Sequence, residues 1–119
     1  MSQHASLTLE RWAEFDRDRQ ILMIANEMHR CAKLFAPEDH ARLSSGYERV
    51  LRLTDLTVSC RPRRALLREL LRWRELAGRV YLEADEDLHR ALFRVLLLLT
   101  PESAKQLPYL LPGSPPRQT

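Results

Sequence analysis

Two adjacent stretches between Ala65 and Leu99 constrain this chain more than anything else in it. From Arg64 to Leu76, apolar residues recur at three- and four-residue spacing, the pattern of a helix with one face in a core. From Leu88 to Leu99 they cover nearly the whole circumference, interrupted only by His89, Arg90 and Arg94. A helix apolar on most sides must be surrounded by others. This dictates a helical bundle, with the last main helix either central or at a contact between subunits.

Glycine and proline usage agrees. Only three glycines are present, and the seven prolines fall at element edges or near the C-terminus. Turns are therefore few, which favours long helices with short connections over a sheet. The expected fold is all-α: an antiparallel bundle of four main helices with a short extra C-terminal helical turn. A chain of 119 residues buries one core of useful size, so residues 1–107 read as a single domain. Residues 108–119, with four prolines and a glycine, read as a partly disordered tail.

The first helix spans about Thr8 to Phe35. Ile21, Ile24, Ala25, Met28, Cys31, Ala32 and Phe35 share its main apolar face. Leu9, Trp12 and Phe15 do not, so the apolar direction switches within 16–20. Either the helix breaks there, or its first turns pack against something other than its own core. Ala36-Pro37-Glu38-Asp39 opens the second helix, with proline at the first position and acids facing the positive end of the helix dipole. It runs to about Val58, and Gly46 within its buried arc suits a close helix approach. Pro62 opens the third helix, whose expected core arc includes Leu66, Leu67, Leu70, Leu71, Trp73, Ala77, Val80, Tyr81 and Leu82. Asp85 to Asp87 start the fourth, and Thr100-Pro101 caps one further short turn.

Polar residues that fall inside apolar arcs are the places where chemistry would sit. Arg74 falls in the third helix's arc, His89 in the fourth's, and His29 on a shoulder of the first. A buried guanidinium needs a carboxylate or several carbonyls, with Glu27 and Asp55 as partners although both read as polar-face residues. A carboxylate-bridged metal pair needs Glu-x-x-His on two helices, and Glu86 to His89 is the one instance. No Gly-x-Ser-x-Gly or glycine-rich phosphate loop is present. Cys31 and Cys60 lack CxxC spacing. No catalytic residue, metal or cofactor is implied.

Charge supplies the other signal. Residues 61–79 hold seven Arg and two Glu, whereas 80–102 hold five acids and two Arg. Arg64, Arg68, Arg72 and Arg79 share one side of the third helix, preceded by Arg61 and Arg63. Such a stripe can follow a phosphate backbone, although Glu69 and Glu75 stand close enough to pair with it, and Trp73 and Tyr81 face the core.

Surplus apolar surface carries the leading expectation: a non-enzymatic protein acting by association, as a homodimer, accessory subunit or adaptor. Its candidate contact residues are Leu9, Trp12, Phe15, Leu98, Tyr109 and Leu110. A nucleic-acid-binding small subunit using the arginine stripe is the alternative. The opening residues lack a signal-peptide pattern, and the longest apolar run, Val95 to Leu99, is far short of a bilayer span. No membrane partner is expected. Cytoplasmic location follows as the simplest expectation, and 17 Arg against 2 Lys suggests a bacterial, GC-rich source.

Overall fold

The computed structural model describes residues 7–110, the side chains of Leu107 and Leu110 excepted. The described chain is all-helical and contains no strand. Its elements are α1 (Leu9–Ala13), α2 (Arg17–Cys31), a 3-10 turn (Pro37–Asp39), α3 (His40–Ser59), α4 (Arg64–Glu83), α5 (Glu86–Leu97), α6 (Pro101–Ala104) and α7 (Leu107–Leu110).

The four main helices, α2 to α5, form a closed ring. Each packs on the next in sequence, and α5 closes back onto α2. Cross-helix pairs give the directions. Glu27 of α2 meets Arg49 of α3, and a β-carbon at Gly46 would abut Cys31. Asp55 and Glu48 of α3 meet Arg74 and Tyr81 of α4. In each case the later residue of one helix faces the earlier residue of the other, so neighbours run antiparallel. Connections this short permit nothing else. The core is filled from all four helices by Ile21, Ile24, Met28, Tyr47, Leu53, Leu70, Trp73, Leu96 and Leu97, all at most 2% exposed.

The long first helix breaks, as the switch in its apolar direction allowed. Asp16 leaves helical geometry and its carboxylate accepts the Arg19 N–H at 2.8 Å, capping α2. The separated α1 folds onto α3. Trp12 enters the core completely, and its indole N–H donates to Thr57 Oγ1 at 3.0 Å. Buried Gln20 donates to the Trp12 carbonyl at 2.9 Å. The expectation that Trp12 contacts a partner is therefore corrected. Phe15, half-buried and edge-on to Trp12, is likewise used within the fold.

A further expectation fails on helix geometry. Leu71 and Leu82 stand exposed on α4, not in its core arc. Leu71 lies about 100° beyond Leu70, and Leu82 about 160° around from Val80, outside the stripe that packing covers. The fourth main helix, α5, is not central: it occupies one corner of the ring between α2 and α4. Residues 111–119, which hold most of the expected tail, lie outside the described residues.

Candidate interaction surface

A corner helix needs only one apolar face, and α5 has two. Its inner face carries His89, Leu92, Phe93, Leu96 and Leu97, all buried. Three anchors fix its orientation. Asp85 caps the N-terminus, accepting the Leu88 N–H at 3.0 Å. The Trp73 indole N–H donates to the Leu92 carbonyl at 2.8 Å. His89 Nδ1 lies 2.6 Å from the Tyr47 hydroxyl in a buried hydrogen bond.

With the inner face held, Leu88, Ala91, Val95 and Leu98 fall on the outer side within about 80° of one another. Their 3-4-3 spacing is that of a two-helix seam. Leu88 is half-buried and Ala91 exposed, while Val95 and Leu98 are 44% and 57% exposed. Arg74 reaches α3, and Leu76 lies about 160° around α4 from it, on the side nearer α5. Leu76 is also exposed. By contrast, Leu71 and Leu82 are interleaved with Arg64, Arg68 and Glu75, and single surface leucines of this kind are ordinary.

The other expected contact residues are dispersed. Leu9 is partly exposed on α1, and Tyr109 is 82% exposed on α7. The Leu110 side chain lies outside the described residues. Leu98 alone among them belongs to a contiguous strip.

The polar candidates do not converge. Arg74 is not interior: its side chain is 40% exposed and makes a two-pronged bond to the Asp55 carboxylate, at 2.9 and 3.2 Å. It lies at the margin of the α4 arc, so its long stem crosses the α3–α4 seam and its head stays wet. Glu27 is the reverse case. Expected on a polar face, it is buried at the α2–α3 seam between Arg49 and Arg30, at 3.1 and 3.2 Å. Its i,i+3 arginine was visible in the sequence; the cross-helix Arg49 was not. His29 is exposed on α2, 6.1 Å from the Phe93 ring, and does not join His89. Among the described residues no three His, Cys, Asp or Glu side chains come together as metal ligands would.

Burial governs the interior titratable groups. It holds His89 down to about 4, helped by the nearby Arg90 charge and opposed by the Met28 carbonyl. Apart from this approach of the Met28 carbonyl, His89 Nε2 finds no hydrogen-bond partner among the described residues. Burial also raises the Tyr47 phenol far above its usual range, and pushes the Cys31 thiol up to about 11 with the Glu27 charge adding to the effect. These groups stay neutral near pH 7. They build an aromatic cluster, with Phe35 at 4.9 Å and Phe93 at 6.4 Å from the His89 ring.

One open cleft of about 380 Å³ lies along α3, walled by Tyr81 of α4. Its charged and phenolic groups are engaged: Tyr81 donates to Glu48 at 2.9 Å, Arg52 to the Leu7 carbonyl at 2.9 Å, and Asp55 accepts from Arg74. The arginine candidates Arg61, Arg63, Arg64, Arg68, Arg72 and Arg79 are all exposed. Arg72 pairs with Glu69 at 3.7 Å, and Arg79 pairs with Glu83 at 3.5 Å instead of the expected Glu75. No described helix is long and apolar enough to cross a membrane. No protein-family model, curated protein or solved structure matches the chain.

Proposed function

We propose that this chain is a non-catalytic helical protein that works by protein–protein association, with the outer face of α5 as its contact surface. The observation that carries this reading is the exposed Ala91–Val95–Leu98 strip, continued by half-buried Leu88, on a helix whose core-facing side is already complete. Apolar surface left over after the core closes costs solubility, and it is retained where another surface covers it. Both cysteines are free thiols, which suits a cytoplasmic setting.

A photo-crosslinking side chain at Val95, with the same group at exposed Glu38 as control, tests the reading in cells. It predicts one defined adduct from position 95, identified by mass spectrometry and lost when Leu98→Glu is added. Absence of any position-specific adduct would overturn it.

A second reading, nucleic-acid binding, draws support from one place. Arg61, Arg63, Arg64 and Arg68 crowd the N-terminus of α4, which has no acid in its first turn and no side-chain cap. Positive charge and the helix dipole add there instead of cancelling. Mixed-sequence oligonucleotides at low salt should then bind the wild type, and Arg64→Glu with Arg68→Glu should abolish binding. No binding by the wild type would remove this reading.

A further inference from the structure

We draw no further inference here: the strongest candidate, the apolar outer strip of α5 from Leu88 to Leu98, belongs to the surface already described, and nothing in the structure shows what covers it.

Discussion

At Gly46 the chain has no room for a side chain: a β-carbon there would lie 2.5 Å from the Cys31 sulfur. Close approach of α2 and α3 depends on this pair, and Cys31 is itself 1% exposed and cannot swing into solvent. Gly46→Ala should therefore destabilise the fold by about 1–3 kcal/mol in urea denaturation. Cys31→Ala should recover part of that loss when combined with it, because it removes the clashing atom. His89 governs a second residue-scale property. Its folded value of about 4 lies below its ordinary 6.5, so the unfolded chain binds the extra proton first as pH falls. The His89 contribution is complete above about pH 6.5 and is lost as pH falls through about 4, a change of about 3 kcal/mol. Stability measured across that window should slope less in His89→Gln; an identical slope would place the acid sensitivity elsewhere. Burial of His89 was legible from its place in an apolar arc. The environments of Glu27 and Arg74 were not, because both lie at arc margins where a few tens of degrees separate a seam from solvent. Helical periodicity assigns a face; it does not say which neighbouring helix stands at its edge.

Most of the helices themselves announce their boundaries. Pro37 opens the 3-10 turn ahead of α3, Asp85 caps α5, and Thr100 caps α6 through the Ser103 N–H. These signals are local, so they were readable in the chain. The break between α1 and α2 was readable only as a choice, since the reversed apolar direction at Trp12 fits a second helix on the same core as well as a contact outside it. Docking of α1 on α3 through Trp12 and Thr57, with Gln20 of α2 bonding the Trp12 carbonyl, settles that choice. The turn between α4 and α5 has a weakness of its own. Ala84 closes α4 in the left-handed region, at φ 52°, where its β-carbon is strained and glycine is at ease. Ala84→Gly should stabilise the protein by about 0.5–1 kcal/mol, read as a higher urea midpoint. A lower midpoint would mean that packing of the Ala84 methyl group outweighs the strain.

For the molecule as a whole, the ring order α2–α3–α4–α5 decides which apolar surface is left over. Sequence alone predicted a surplus and placed it partly at Trp12 and Phe15, which the fold consumes, and partly on the last main helix, which lies at a corner and keeps an outer strip. Periodicity could not distinguish the two, because ring order depends on how four helices share edges. The inner face of α5 is held within the monomer, and on the association reading proposed above its outer face is left to self-association or to another protein. A fold coupled to self-association melts at a temperature that depends on protein concentration, because dilution favours the separated chains. The most direct measurement is the thermal midpoint of wild type and Leu98→Glu from about 1 to about 100 µM. Self-association through the α5 outer face predicts a wild-type midpoint that climbs by several degrees over that range, and a Leu98→Glu midpoint that stays flat near the dilute wild-type value. A wild-type midpoint independent of concentration, and matched by Leu98→Glu throughout, would contradict it.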